Sequence, residues 1–155
     1  PAPATSRKCV TGTGRHLRRR HDPQNQSPVR IVVVDDEDWF VESVEILLRS
    51  SYDAALTLFT SSPAAWSELQ RAEPDMLIVG GMMPQMSGEM LVREAMARGA
   101  RYPILVVSGF LNGDTVLRWF PEFDNISFLQ KPFTAEQLTS AVEKHFEVVP
   151  HGNIQ

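Results

Sequence analysis

Residues 74–88 read PDMLIVGGMMPQMSG. The apolar run Met76–Val79 is predicted as a β-strand, and it ends at the glycine pair Gly80-Gly81. A loop then leads to a predicted helix over Glu89–Arg98, and Gly99 is a residue type that commonly ends helices. The stretch therefore predicts a strand, a glycine-containing loop and a helix in direct succession.

The same alternation of strands and helices begins at Val29. Val29–Val34 is an apolar run interrupted only by Arg30, as expected for a strand covered on both faces. Three further runs are predicted as strands: Ala54–Phe59, Ile104–Val107 and Ile126–Leu129. Four further helices are predicted. Phe40, Val44, Leu47 and Leu48 lie on one side of the first, and the second starts at Ser62-Pro63. A short helix is predicted about Asp114–Phe120, and a capping box at Thr134–Gln137 opens the last. Five β-α units predict an α/β fold with a doubly wound, five-stranded parallel sheet and helices on both faces.

Polar or glycine residues stand where these predicted strands end. Asp35-Asp36 follows the first strand, Gly80 the third, Ser108 the fourth and Lys131 the fifth. In a doubly wound sheet the functional crevice lies at the carboxyl ends of the strands, so these positions are expected to converge. Adjacent carboxylates repel each other, and a bound cation would relieve that repulsion. An acidic N-terminus for the first helix is the alternative interpretation of Asp35-Asp36.

Residues 74–88 closely resemble the central motif of response-regulator receiver domains, the CheY-like family, in which an aspartate ends the strand before a Met-Met-Pro-x-Met-Ser-Gly loop. In that family the aspartate accepts a phosphoryl group from a sensor histidine kinase. The matching residue here is Gly80, which has no side chain to carry phosphate or to bind a metal. The resemblance covers about residues 29–147. It implies a flavodoxin-like receiver fold in a degenerate form that lacks its phosphoacceptor.

The resemblance implies a metal site that has lost one ligand. Asp35 and Asp36 match the acidic pair that holds Mg²⁺ in receivers, and the backbone carbonyl of Met82 matches a further ligand. Mg²⁺ prefers oxygen ligands in octahedral geometry. Without a carboxylate at position 80, Mg²⁺ is expected to bind weakly if it binds at all, and no other cofactor is expected.

Three residues match the phosphate pocket and switch of the family. Lys131, which precedes a proline through a bond that is typically cis in receivers, matches the lysine that pairs with the acceptor; here Asp35 or Asp36 is its expected partner. Ser108 matches the switch hydroxyl, and Phe128 matches the aromatic ring that swings inward when that hydroxyl moves. Without a phosphoryl group this coupling has no evident input.

These matches predict a pseudo-receiver in two-component signalling, which is not an enzyme and acts by protein–protein interaction. The expected partner is a histidine kinase, an output domain or a second copy of the chain in a homodimer. Trp119 and Phe120, in an apolar region around the fourth predicted helix, are the expected contact surface. Two alternatives stay open. One is phosphorylation at Asp35 or Asp36, although both are expected beside the pocket rather than facing Lys131; the other is a small-ligand sensor that uses the vacated pocket.

The N-terminal residues differ in charge from the rest of the chain. Six basic residues and one acidic residue give residues 1–28 a net charge of +5, whereas nine basic and 18 acidic residues give the remainder −9. Residues 1–28 contain few large apolar side chains and are predicted to be a disordered basic tail or linker before a receiver-like domain over residues 29–147. A basic arm that contacts nucleic acid or an acidic partner is the alternative. Val148–Gln155 is too short to form another domain and is predicted as a C-terminal tail.

Composition limits the remaining possibilities. A chain of 155 residues with 43% hydrophobic content is expected to form one domain with a real core. Its longest strictly aliphatic runs, Ile31–Val34 among them, are too short to span a bilayer, and no signal-peptide pattern opens the sequence. Cys9 is the one cysteine, so no internal disulfide is expected. A cytoplasmic protein is therefore expected, and because the sequence begins with Pro1 rather than Met, a fragment of a longer protein is a further interpretation.

Overall fold

The computed structural model describes the backbone of residues 5–7 and the whole of residues 14–150; Cys9 lies outside these ranges. The strands are β1 (Thr5–Arg7), β2 (Arg15–Arg19), β3 (Val29–Val34), β4 (Tyr52–Phe59), β5 (Met76–Gly80), β6 (Ile104–Ser108), β7 (Ile126–Gln130) and β8 (Phe146–Val149). The helices are α1 (Asp38–Ser51), α2 (Ser62–Arg71), α3 (Gly88–Ala97), α4 (Gly113–Trp119) and α5 (Ala135–Glu143).

Five parallel strands form the centre of the fold, in the order β4-β3-β5-β6-β7. A helix connects each of them to the next along the chain, which is the doubly wound arrangement predicted from the sequence. Alternate side chains of β3 enter two separate cores. Ile31 and Val33 pack with α1 and α5, whereas Val32 and Val34 pack with α2, α3 and α4. The sheet is therefore covered on both faces, and only the ends of its strands are left to form a site.

Short side chains fix where the helices begin. Thr134 forms the predicted capping box with Gln137, in which each side chain accepts a hydrogen bond from the other residue's backbone N–H. The second helix begins at Ser62, as predicted, and Ser61 caps it, because the Ser61 hydroxyl accepts a hydrogen bond from the N–H of Ala64. In the part of the chain that the structure describes, every helix is too short or too polar to cross a bilayer.

The sheet contains eight strands rather than the predicted five, because residues on both sides of the five parallel strands also pair. β2 pairs antiparallel with β8 and, at its first two residues, parallel with the start of β4. Leu17 of β2 is fully buried in the core formed by α1 and α5. The predicted disordered tail is therefore wrong for Arg15–Arg19, and the predicted C-terminal tail is wrong for the last two residues of β8.

Arginine side chains hold β2 against the rest of the fold. Arg19 is 8% exposed and donates two hydrogen bonds to the Asp75 carboxylate, from Nε to Oδ1 at 2.8 Å and from Nη2 to Oδ2 at 2.6 Å. It also donates to the backbone carbonyls of Ser27 and Pro28. The neighbouring arginines have partners within the chain as well: Arg15 with Glu143, Arg18 with Glu147, and Arg20 with the carbonyl of Phe146. Each arginine of this segment thus has an acidic or carbonyl partner within the chain, which argues against a free basic arm over the described residues.

The outer edge of β4 is closed by the chain's own N-terminal residues. β2 meets it at Tyr52 and Asp53, and β1 runs antiparallel to it from Leu56 to Leu58. An uncovered edge strand would present a row of unpaired backbone N–H and C=O groups. Along β4, the strands β1 and β2 pair with backbone groups of this edge.

Candidate functional site

The predicted site residues meet where the parallel strands end. Asp35 follows β3, Gly80 ends β5, Ser108 ends β6 and Lys131 follows β7. A cavity of about 280 Å³ opens at this edge of the sheet. In addition to Asp35, Ser108 and Lys131, its walls include Glu37, Trp39, Met82 and Phe110. The lining of the cavity therefore combines charged groups with large apolar side chains.

Asp35 is the buried carboxylate of this site. It is 2% exposed, and its Oδ2 atom accepts a hydrogen bond from Lys131 Nζ at 2.8 Å. Its Oδ1 atom accepts a second hydrogen bond from the backbone N–H of Glu37 at 2.9 Å. Both carboxylate oxygens are thus engaged within the protein. Asp35 is one of the two partners expected for Lys131.

The Asp35 carboxylate occupies the space beside Gly80 that a side chain at position 80 would need. A Cβ atom built onto Gly80 in ideal geometry would lie 2.5 Å from Asp35 Oδ2 and 2.9 Å from Asp35 Cγ. Gly80 is in an extended strand and has no positive φ angle, so its backbone conformation accepts any residue. The nearest obstacle to a Cβ atom at position 80 is therefore the Asp35 side chain.

Glycines bring the loop after β5 close to its neighbours. A Cβ atom on Gly81 would lie 2.7 Å from Leu111 Cδ1 and 3.0 Å from Ser108 Oγ. Gly88 donates its N–H to the Gly81 carbonyl at 3.1 Å and has no room for a side chain against the Gly80 carbonyl. These contacts hold the loop between β5 and α3 against the end of β6.

Glu37 and Trp39 belong to the site but were not among the predicted site residues. Glu37 Oε1 accepts a hydrogen bond from Lys131 Nζ at 3.2 Å, and Glu37 Oε2 accepts one from Trp39 Nε1 at 2.8 Å. The sequence signal was the third consecutive acidic residue after β3, which follows directly on Asp35-Asp36. Lys131 Nζ also lies 4.0 Å from the ring centroid of Phe40, and the Lys131-Pro132 bond is cis. The lysine charge is thus compensated by two carboxylates and an aromatic face.

The family comparison identifies the class of this fold. The family model described as "Response regulator receiver domain" matches residues 31–143. The chain belongs to this family. Response regulator Rre1 of Synechocystis sp. is 30% identical over 118 residues, which are 74% of this chain and 50% of that protein. Response regulator protein TodT of Pseudomonas putida is 27% identical over 92% of this chain and 58% of its own length. The receiver thus spans about half the length of these relatives.

Solved structures give the same fold. The receiver domain of an HD domain-containing protein from Pseudomonas fluorescens aligns with a TM-score of 0.68 at 19% identity, over 77% of this chain and 94% of that one. A response regulator receiver domain protein from Clostridium thermocellum aligns with a TM-score of 0.66 at 22% identity, over 76% and 93% of the two chains. At such identities these likenesses establish the receiver fold alone.

The acidic residues of this receiver do not fit a Mg²⁺ ion in the arrangement described. Asp36 is exposed and does not line the cavity, although it was predicted to share a metal site with Asp35. Asp35 already accepts Lys131 and a backbone N–H, and Gly80 supplies no oxygen from a side chain. Met82 lines the cavity, where its carbonyl was the third predicted ligand. Within residues 14–150, no group of three or more His, Cys, Asp or Glu side chains is placed to hold a metal.

The two switch positions of the receiver are both held by local contacts. The Ser108 hydroxyl is buried and accepts hydrogen bonds from the backbone N–H groups of Phe110 and Leu111, at 3.1 and 3.2 Å. Phe128 is half-buried and packs against the core on the α2, α3 and α4 side, close to Gly113. The hydroxyl therefore accepts the hydrogen bonds of the loop after β6 while Ser108 lines the cavity.

The predicted contact surface on α4 is less exposed than expected. Trp119 and Phe120 are both half-buried against the core, and Arg93 lies over the Phe120 ring, 5.0 Å from its centroid. Leu117 and Phe123 are the more exposed apolar residues of this region, at 53% and 41%. Substituting Trp119 would therefore disturb core packing as well as any contact surface.

Burial and hydrogen bonding shift the pKa values of the two cavity carboxyls, Asp35 and Glu37, in opposite directions. Burial raises the pKa of Asp35, outweighing the hydrogen bonds from Lys131 and from the Glu37 N–H, which lower it. The pKa of Glu37 is lowered by the hydrogen bond from Trp39 and then by the one from Lys131. The difference arises because Asp35 is enclosed, whereas Glu37 lies at the solvent boundary.

We expect the pKa of Asp35 to lie above the ordinary aspartate value and the pKa of Glu37 to lie below the ordinary glutamate value. The folded pKa of Asp35 is raised, so the stability gained from its protonated form is complete below the unfolded pKa and is lost as pH rises through the folded pKa. Carbon-13 chemical shifts of the side-chain carboxyls, followed from acid to neutral pH, measure both values. An Asp35 pKa at or below the ordinary aspartate value would contradict this account of the burial.

Proposed function

We propose that this chain is a pseudo-receiver, which takes no phosphoryl group at the usual position and acts by binding a protein partner rather than by catalysis. One observation carries the proposal. The strand that presents the acceptor in receivers ends here at Gly80, and the Asp35 carboxylate fills the adjacent space and pairs with Lys131. The pocket lysine thus already has a carboxylate partner in the absence of an acceptor. The coarser role, a receiver domain in two-component signalling, rests on the family itself.

Phosphorylation at Asp35 is the second candidate, and one contact favours it. Contrary to the expectation from sequence, Asp35 does face Lys131, whereas Asp36 is exposed outside the cavity. Two features weigh against Asp35 as a nucleophile. It is nearly inaccessible, and both of its oxygens accept hydrogen bonds. A phosphodonor would have to displace Lys131 before it could reach Oδ2.

Incubation with acetyl phosphate and Mg²⁺, followed by intact mass measurement, tests the proposal. We expect no mass gain of one phosphoryl group in the unaltered chain. Asp35→Asn is the matched variant, because it keeps the shape of the side chain and removes the candidate nucleophile. A stable gain in the unaltered chain that is absent from Asp35→Asn would refute the binding-only role and establish Asp35 as the acceptor.

The partner is proposed by class only. A histidine kinase, an output domain or a second copy of the chain would each suit a receiver that spans half the length of its relatives. The four arginines of the segment Arg15–Arg20 are paired within the fold, so nucleic acid is a poor candidate for this surface. We place the interaction in the cytoplasm, on the strength of the family's signalling role.

A further inference from the structure

An exposed indole and a carboxylate are held together at the mouth of the cavity. Trp39 is 58% exposed, and its Nε1–H donates to Glu37 Oε2 at 2.8 Å. The Glu37 side chain is itself 44% exposed. We refer to Glu37 and Trp39 together as the acidic–aromatic corner. A carboxylate accepts about four hydrogen bonds, and Glu37 uses two of its positions for Trp39 and Lys131. The corner therefore keeps acceptor capacity toward solvent.

The charge around this corner favours a cation over an anion. The charged residues that line the cavity are Asp35, Glu37 and Lys131, so the lining carries one net negative charge. Lys131 is enclosed between the two carboxylates and the Phe40 ring, and its side chain is 14% exposed. An anion entering the cavity would have to compete with Asp35 and Glu37 for the lysine. A cation at the corner would meet the exposed parts of Glu37 and Trp39, beside Lys131 rather than in its place.

The same combination of aromatic ring and glutamate binds an arginine elsewhere in this structure. Arg15 lies 5.6 Å from the ring centroid of Tyr52 and pairs with Glu143 at 3.1 Å. Arg93 lies 5.0 Å from the ring centroid of Phe120 and pairs with Glu89 at 3.6 Å. At the acidic–aromatic corner, the cation nearest the Trp39 ring among the described residues is Lys131, at 5.8 Å. At the corner Lys131 takes the corresponding position, because it also pairs with Glu37 at 3.2 Å, while Trp39 and the Glu37 side chain stay 58% and 44% exposed beside it. The corner thus keeps exposed ring and carboxylate surface for a second cation.

We propose that the acidic–aromatic corner binds the guanidinium group of an arginine side chain on the protein partner, an inference that rests on the proposed function. A guanidinium is planar, stacks on an aromatic face and donates two parallel hydrogen bonds to a carboxylate. The Trp39–Glu37 hydrogen bond holds both groups in place before binding, which lowers the entropy cost of recognition. Met82 and Phe110, at 60% and 85% exposure, supply an apolar rim that flanking residues of the partner would cover.

Nuclear magnetic resonance titration of the full chain tests this site, with the Trp39 indole N–H signal assigned through a Trp39→Phe variant. The probe is the peptide acetyl-Gly-Arg-Gly-amide. The matched peptide carries citrulline, which is neutral and nearly isosteric with arginine. We expect saturable shifts with a Kd of about 1–10 mM for the arginine peptide, and at least about fivefold weaker binding of the citrulline peptide, because the charged hydrogen bonds are lost.

Two variants separate recognition by Glu37 from general attraction to an acidic surface. Glu37→Gln can still accept the Trp39 hydrogen bond, and the Glu37 side chain makes no capping bond to α1, so the variant is expected to fold. We expect Glu37→Gln to weaken binding of the arginine peptide about fivefold or more. Glu122→Gln, at an exposed glutamate outside the cavity lining, is expected to leave the Kd unchanged. Equal Kd values for the two peptides, an unchanged Kd in Glu37→Gln, or no saturable shift would each overturn the inference. If ethylguanidinium bound as tightly as the arginine peptide, the site would recognise a free guanidinium compound equally well. That result would overturn the inference that the guanidinium belongs to a protein partner. None of these results bears on phosphorylation, which the mass measurement tests separately.

Discussion

Arg19→Ala is expected to lower the free energy of unfolding by about 3–5 kcal/mol, the range found when one partner of a buried ion pair is removed. The Arg19 and Asp75 side chains are 9% and 18% exposed, and two hydrogen bonds join them. Without Arg19, the Asp75 carboxylate keeps only the hydrogen bond from the backbone N–H of Arg30. The carbonyls of Ser27 and Pro28 lose their donor as well. Urea unfolding followed by circular dichroism measures the loss.

Arg18→Ala is the matched control for this substitution. Arg18 is the preceding residue of the same strand, but its pair with Glu147 lies at the surface, with side chains 37% and 44% exposed. Surface pairs of this kind contribute about 0–1 kcal/mol. If the two variants lose the same stability, or if Arg19→Ala unfolds like the unaltered chain, Arg19 does not anchor β2 to the receiver.

Gly80→Asp is expected to lower stability without Mg²⁺ by about 2–3 kcal/mol, through overpacking and like-charge repulsion. The new Cβ atom needs the space of Asp35 Oδ2, so the Asp35 carboxylate must leave Lys131. Two carboxylates would then compete for a single lysine. Thermal unfolding should shift downward by about 5–10 °C for a chain of this size. The same variant is expected to accept a phosphoryl group from acetyl phosphate, because Asp35, Ser108 and Lys131 remain around position 80.

Added Mg²⁺ should recover the stability of Gly80→Asp and should do little for the unaltered chain. A displaced Asp35 and a new Asp at position 80 would supply two oxygen ligands, and an ion that binds only the folded state stabilises it. Gly80→Ala is the control, because it adds the same Cβ atom without a charge. A Gly80→Asp protein that melts no lower than Gly80→Ala, gains nothing from Mg²⁺ and takes no label would show that the pocket can no longer return to receiver chemistry.

The parallel sheet was predictable because each of its strands is an apolar run that can be recognised from its own residues. Val29–Val34 and Ile104–Val107 are apolar runs that need burial on both faces, and their spacing leaves room for one helix between successive strands. The alternation also determined which residues stand at the carboxyl ends of the strands. Asp35, Ser108 and Lys131 could therefore be grouped from their positions in the sequence alone.

Strand β2 could not be predicted from its own residues. Leu17 is its single large aliphatic side chain, and the segment around it is basic and polar. Its stability comes from acidic partners that are distant in sequence, such as Asp75 and Glu147. A local pattern cannot reveal such pairs, because the strength of an ion pair depends on burial that the rest of the fold supplies.

The direction of the Asp35 side chain could not be predicted from the sequence either. Adjacent acidic residues after a strand suggest a shared cation site, yet one of them points inward to Lys131 and Asp36 points to solvent. The inward carboxylate of Asp35 occupies the space that a side chain at position 80 would need, and it pairs there with Lys131. Side-chain direction of this kind is a property of packing and not of residue type.

The closed edge of β4 has a consequence for solubility. Shortening the chain to begin at Val29 would remove both strands that cover this edge and would expose it from Tyr52 to Leu58. An exposed, largely apolar edge is a template for strand addition between molecules, which leads to aggregates or adventitious dimers. Self-association of such a shortened receiver would report the uncovered edge and not a native assembly.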